Sequence, residues 1–367
     1  MVAAATLANI GCHWLIAWRR SIGSDSFSTP PHLAIYLCGV LAAIACGYLI
    51  LATTYSKASY PKPATVRIGG FRGPLGAFVS AWGVAVLIGS GIFDSWWHES
   101  YGINMKILIP PHVLFLAGLF AIQTGALVMV IGFINREAQH RSRYFRNLTA
   151  MRLYIGSMML ILVMVPIAEF TVRPYQHSSL MYCAVSMVAP AILAGLARAN
   201  SGNWAATLAA AGYSIFCLTM LWMLPLFPAT PAAGPIFSKV THMIPMEFPL
   251  LLIVPAIAMD LLYLKIKRIH RLLLGTITGV VFLGVFVVAQ WEFAGFLQSP
   301  GARNWFFGAG YVDFSTRPDS IYALHKFVSN EEIGLGFDTG MWLALACAIV
   351  SSWLGLTWGN WMRRIRR

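Results

Sequence analysis

The run LLLGTITGVVFLGVFVVAQWEFAGFL at residues 272–297 carries a single ionisable side chain, Glu292. A helix that crosses a bilayer needs about 20 mostly apolar residues, so a run of this length and polarity reads as a membrane span. Working outward, comparable runs recur at 2–18, 32–55, 75–97, 112–133, 153–170, 178–197, 204–227, 245–264 and 337–361. Ten such runs, in a chain 58% hydrophobic and 11% charged, predict an all-α, polytopic transmembrane helix bundle with residues 1–367 as a single transmembrane domain. The lipid bilayer is its first partner.

A net charge of +13 would suit nucleic acid, but the basic residues are divided among short loops between apolar runs instead of forming one stripe. Nucleic-acid binding is therefore not expected. Eighteen of the 26 Lys and Arg fall in alternate loops: 56–74, 134–152, 198–203, 265–271 and the tail beyond 361. By the positive-inside rule these loops and both termini are expected on the cytoplasmic side of a plasma membrane, with a bacterial inner membrane the best fit. Arg19 and Arg20 fall on the opposite side in this scheme. The first run is also short enough to raise a signal peptide, but its basic pair follows the apolar stretch where a signal peptide puts it first.

The six cysteines all lie in apolar runs without a CxxC pair, so neither a disulfide framework nor a zinc knuckle is indicated. Neither a Walker loop nor a Rossmann glycine fingerprint occurs, which argues against ATP-driven transport by this chain. The longest extramembrane piece, 298–336, is expected outside as a cap over the helix ends, because its aromatics (Trp305, Phe306, Phe307, Tyr311) argue for order. Pro30-Pro31-His32 and Pro110-Pro111-His112 each open a span that enters from outside. Proline suits a first helical turn, where its missing N–H costs nothing; the histidine that follows both times is left over by that account.

Histidines and acids gather on the sparsely basic side. His13, His32, His98, His112, His177, His242 and His325 lie at or near outer span ends or in outer loops, as do Asp94, Glu99, Glu169, Glu247 and Glu292. The sharpest group is Asp94 and His98, four residues apart and so on one helical face, followed by His112 in the first turn of the next span. A hairpin brings all three together. Two neutral imidazoles and a carboxylate with open positions suit copper, non-haem iron or zinc, although the carboxylate could instead orient a histidine from behind.

The pattern Asp-x3-His-x13-His, with Trp97 before the first histidine and Pro110 two residues before the second, resembles the metal-binding helix hairpin in the C subunit of the particulate methane and ammonia monooxygenase family. The resemblance covers about 25 residues and implies copper ligation by Asp94, His98 and His112. That family carries a second Asn, His, His set in a later hairpin; at about that position this chain has Glu169, Arg173 and His177. The resemblance also implies a monooxygenase-like, oxidoreductase subunit acting on a small apolar substrate, working with other membrane subunits or as a homo-oligomer.

Blander readings stand beside these. The triad could be an interfacial cluster that hydrogen-bonds loop backbone, and Glu99 reads as a solvated or supporting acid. His242 with Glu247, and His32, repeat the theme at other span mouths, where a lone histidine more often caps a helix. Glu169 and Glu292 read as ion-pair partners of Arg173 or Lys239. Two other functions compete: a cation or proton transporter with an outer His/acid site, which calls for helices interrupted at mid-membrane, and a non-catalytic structural subunit whose long outer loop docks a partner.

Overall fold

The computed structural model describes residues 1–23, 26, 28–55, 65–102, 108–137, 143–199, 204–266, 269–317, 319, 328–329 and 336–365. Among the described residues ten α-helices dominate: α1 (Val2–Ser21), α2 (Pro30–Tyr55), α3 (Leu75–Tyr101), α4 (Pro110–Glu137), α5 (Arg143–Met164), α6 (Ser179–Ala199), α7 (Ala205–Met223), α8 (Ile253–Lys265), α9 (Arg271–Gln298) and α10 (Phe337–Met362). A two-stranded hairpin, β1 (Val66–Ile68) with β2 (Phe71–Gly73), follows α2. Among the described residues, eight helices are long and apolar enough to cross a membrane; α1 and α8 are the other two. The chain is an all-α membrane helix bundle. As expected, Pro30 and Pro110 sit in first turns.

Two regions differ from the sequence expectation. The fifth span is displaced toward its N-terminus, running from Arg143 to Met164, and the stretch after it becomes 3-10 turns at Ala168–Phe170 and Arg173–Tyr175. The eighth is a half-length helix. Only Ile253–Lys265 is helical, 13 residues or about 20 Å, and 227–252 is non-helical. Pro249 lacks the N–H that a helix begun at 245 would donate to the Pro245 carbonyl, and its ring clashes with that carbonyl, so such a helix could not run on through it unbroken.

The contacts divide the expected single domain into two compact units: Met1–Asn9, Ala34–Pro166 and Asn360–Arg367 in the first, Ile10–Leu33 and Ile167–Gly359 in the second. In the first unit, α3 and α4 form an antiparallel hairpin at backbone contact. A methyl added at Gly83 would lie 2.7 Å from the Gly118 carbonyl oxygen and from the Ile122 nitrogen, and one at Gly76 would strike the Gly125 carbonyl. Small residues let membrane helices approach this closely where lipid offers no hydrophobic drive. Ser80 donates its hydroxyl to the Ile122 carbonyl at 3.0 Å across the same seam. Asn9 donates to the Met158 carbonyl (3.2 Å) and Asn135 to the carbonyls of Met362 (2.9 Å) and Ile365 (2.6 Å), so polar side chains fix further neighbours.

In the second unit α6 and α10 run parallel, since partner numbers rise together: Ser179 beside Gly340, Ala191 beside Gly355, Gly195 beside Gly359. The α7 N-cap, Trp204, makes no side-chain cap, and Asp260 of α8 supplies it instead. Its carboxylate, 4% exposed, accepts the Thr207 N–H and hydroxyl at 2.8 Å each. The described part of 298–336 packs within this unit: Phe314 joins a core with Ala17, Leu224, Val240, Met243 and Ile244, and the Phe306 carbonyl accepts the Trp222 indole N–H at 3.0 Å. Glu331 and Glu332 of that loop, His325, and parts of the basic loops such as Lys57, Lys62, Arg141, Lys267 and Arg268 fall outside the described residues.

Candidate metal centre

The register of the α3–α4 hairpin decides what meets at its mouth. With Gly76 against Gly125 and Gly83 against Gly118, the same antiparallel step carries Pro111 and His112 to the level of Ser90 and Gly89. Asp94 and His98 stand one and two turns further along α3, on the same face as Ser90. Side chains reaching from both helices therefore converge. The Asp94 Oδ1 atom is 3.4 Å from His98 Nε2 and 3.6 Å from His112 Nε2, and one ligand atom from each of the three residues lies within 4.8 Å of the others. Side-chain exposure is 25% for Asp94, 24% for His98 and 15% for His112, half-shielded but reachable.

The hydrogen bonds around the three leave room for a cation among them. His98 Nδ1 is 3.3 Å from the Gly102 carbonyl oxygen, and an N–H donated there leaves Nε2 of the neutral ring with a lone pair aimed at Asp94. Asp94 Oδ1 is buried and, among the described residues, accepts no hydrogen bond. A lone pair facing an unbonded carboxylate oxygen is repulsive unless a proton on the ring or a metal ion lies between them. Two ligands about 2.1 Å from a tetrahedral metal are roughly 3.4 Å apart, close to both measured edges. The donor set thus fits a metal ion, and the backbone carbonyl holding the far ring nitrogen is the support such histidines usually have.

Gly102 is essential to that support. It ends α3 with φ 79° and ψ 175°, its N–H returned to the His98 carbonyl. Few residues besides glycine occupy this region, and there its own carbonyl reaches the ring one turn back. Nothing in the helix-span reading of the sequence points to a backbone carbonyl; the Tyr101-Gly102 stop signal was the available hint.

The other residues singled out from sequence have separate settings. Glu99 is exposed on α3. His32, Glu169, His177, His242 and Glu247 belong to the second unit. His32 Nδ1 meets Thr29 Oγ1 (2.8 Å) and the Ser26 carbonyl (2.9 Å) just ahead of α2, a local contact with the preceding loop and not a cap on a helix N–H. His177 bridges the Trp291 carbonyl (3.1 Å) and the Ser329 hydroxyl (2.9 Å); His242 pairs with Thr241 Oγ1 at 2.7 Å. Glu169 is an exposed member of a 3-10 turn. Arg173 pairs with Glu247, Nη2 to Oε2 3.4 Å, a partner the sequence reading did not assign to it.

Comparison with family models, with curated proteins and with solved structures gave no match. The chain is therefore a membrane helix bundle with a His/Asp group that could hold a metal ion, and its chemistry has to be argued from that group.

Proposed function

We propose that this chain is a membrane-embedded copper protein, a monooxygenase-like subunit whose Asp94, His98 and His112 hold the metal and whose substrate is small and apolar. The observation that carries the reading is the convergence of one carboxylate oxygen and two imidazole nitrogens, with His98 fixed by Gly102 so that its lone pair faces the group. Two imidazoles and a carboxylate suit copper and leave positions open; iron and zinc share this donor preference and are outcomes of the same test. Copper bound there supplies the redox chemistry toward dioxygen. The chain's own residues hold the metal, and Phe93, Trp96, Trp97 and Tyr101, packed ring to ring on the same stretch of α3, give an aromatic, apolar approach to it. The expected setting is a bacterial inner membrane with the centre toward the extracytoplasmic side, among other subunits or copies of the chain.

The test is metal analysis with electron paramagnetic resonance on purified wild type and His98→Ala, prepared under conditions that retain copper. The reading expects one copper per chain in the wild type, with nitrogen hyperfine structure, and its loss in the variant. Wild-type protein with no metal above background overturns it.

A second reading, a cation or proton transporter, draws support from one feature: α8 is interrupted, with buried non-helical backbone before it. Irregular backbone at membrane depth is tolerated where protein or a water-filled cavity covers it, and transporters use it for binding. Flux into proteoliposomes at varied cation and pH gradients separates the two readings.

A further inference from the structure

The metal centre makes no use of His177, whose two ring nitrogens have sharply different neighbours. The residue stands just ahead of α6 in the second unit, and its Nε2 is 3.1 Å from the Trp291 carbonyl oxygen of α9. A carbonyl oxygen can only accept, so Nε2 carries the proton. In the neutral ring the lone pair is then on Nδ1, and 2.9 Å from it lies the hydroxyl oxygen of Ser329. The serine donates and the imidazole accepts. Edge-on contact with the Trp291 indole, centroids 4.5 Å apart at 79°, holds the ring in that orientation.

These are the parts of a nucleophilic centre: a hydroxyl within hydrogen-bond reach of a base, and a base whose tautomer and orientation are set from behind by a third group. Side-chain hydrogen bonds go mostly to backbone or water, whereas Ser329 meets two side chains. The second is Gln298 Oε1, at 3.2 Å, presented that way round because Gln298 Nε2 donates to the Arg173 carbonyl at 3.4 Å. The hydroxyl has one proton for two acceptors, and the imidazole nitrogen is both the nearer and much the stronger base. Ser329 is exposed and His177 half-buried, so an outside molecule can reach the oxygen while the base stays screened. Beside the imidazole, Trp291 and Phe337 pack edge to face with centroids 5.7 Å apart, and both remain partly exposed, which gives an apolar shelf next to the nucleophile.

We infer that Ser329 and His177 form an acyl-transfer centre that hydrolyses small, uncharged carboxylic esters with an apolar acyl group. Ser329 Oγ adds to the ester carbonyl carbon while its proton passes to His177 Nδ1. The bond from that carbon to the alcohol oxygen breaks, and the proton leaves on the alcohol. Water then adds to the acyl-serine with Nδ1 again taking the proton, which returns to Ser329 Oγ as the carboxylic acid departs. The Trp291 carbonyl accepts from Nε2–H throughout. A neutral carbonyl stabilises the imidazolium less than a carboxylate in that place would, so the centre suits esters, whose alcohols leave readily, and not amides. It lies within the second unit and does not depend on the copper reading.

The experiment uses the purified full chain in detergent, metal removed by chelation, with p-nitrophenyl butyrate as substrate and a fluorophosphonate as covalent probe. The wild type is expected to hydrolyse the ester and to be phosphonylated at Ser329 with release of fluoride, the site read by peptide mass spectrometry. Ser329→Ala is expected to lose both. His177→Asn places an amide oxygen near the position of Nδ1, so it can keep the tie to Ser329 but cannot take up the proton. That variant should lower both rates by about 100-fold or more with a thermal midpoint near that of the wild type, which a merely structural contact would not do. Should His177→Asn fail to fold, Ser329→Ala and the labelled position decide alone. A wild type unlabelled at Ser329, ester hydrolysis that survives Ser329→Ala, or folded His177→Asn reacting at the wild-type rate each overturns the inference.

Discussion

Substituting Gly83 by alanine tests the link between helix packing and the metal centre, because the position is far from the ligands and in contact with none of them. The added methyl would sit 2.7 Å from the Gly118 oxygen and the Ile122 nitrogen, where ordinary contact begins at 3.4 Å, so α3 and α4 must separate by about 0.7 Å. Both neighbours are backbone and cannot rotate away. Asp94 and His98 ride on α3 and keep their 3.4 Å spacing, while His112 rides on α4 and moves with it, widening its 3.6 Å approach to Asp94 by up to that separation. Metal–ligand distances tolerate about 0.2 Å, so the displacement exceeds the tolerance roughly threefold and turns a three-ligand site toward a two-ligand one. A loss of metal affinity of about 10- to 100-fold is expected, the range found when a histidine's support is removed. Chelator competition at equilibrium measures it. Gly89→Ala and Gly91→Ala on the same helix are the controls: their methyls meet nothing within 4 Å, and alanine there favours the helix by up to about 1 kcal/mol. Wild-type affinity in Gly83→Ala, or an equal loss in the two controls, refutes the reasoning.

Gly102→Ala adds a methyl to open space, so its cost is conformational, about 1 to 3 kcal/mol for leaving a region that favours glycine; metal titration should show weakened binding as the carbonyl leaves His98, with little change in thermal midpoint for the rest of the fold. Asp260→Asn removes a buried charged acceptor for Thr207 and should lower stability by about 1.5 to 3 kcal/mol in detergent unfolding; an unchanged midpoint would mean that α7 is capped by other means. The Sγ atoms of Cys183 and Cys347 lie 3.9 Å apart on the parallel helices α6 and α10, so a mild external oxidant should link them, read as a cross-linked peptide pair by mass spectrometry that Cys183→Ser abolishes. A link from Cys183 to any other cysteine would contradict the parallel packing.

What could be read from the sequence follows from which physical signals are local. Membrane spans announce themselves because burial in lipid demands a long uninterrupted apolar run, and the run at 272–297 forms α9 almost to the residue. Asp94, His98 and His112 were legible for a related reason: helical spacing and one short connection leave little freedom in where three side chains at a hairpin mouth can go. The residues that complete the centre were not legible, since the Gly102 carbonyl has no side chain to notice. Gly76 and Gly83 of α3 read as ordinary apolar filler until the glycines that face them on α4, Gly125 and Gly118, are known.

The eighth span shows the opposite failure, in which a signal was present and outweighed. Average hydropathy over 245–264 describes a spanning helix, but Pro249 removes the hydrogen bond its fifth position would make to the Pro245 carbonyl and clashes with that carbonyl. Hydropathy reports only the free energy of removing side chains from water, whereas a helix also has to satisfy every backbone donor. Once the helix is broken those donors need other partners, and the sequence supplies them from far away: Ser21 for Ile244, Tyr213 for Leu250 and Gln290 for Leu251. The same requirement explains Arg20, which looked misplaced by the loop-charge rule and instead satisfies the Pro245 carbonyl. Two of the five arginines that the loop count puts on the sparsely basic side thus have partners in the non-helical segment ahead of α8, Arg20 on the Pro245 backbone carbonyl and Arg173 on the Glu247 carboxylate, so in this chain a charge that runs against the loop rule serves to satisfy exposed backbone or a shielded acid.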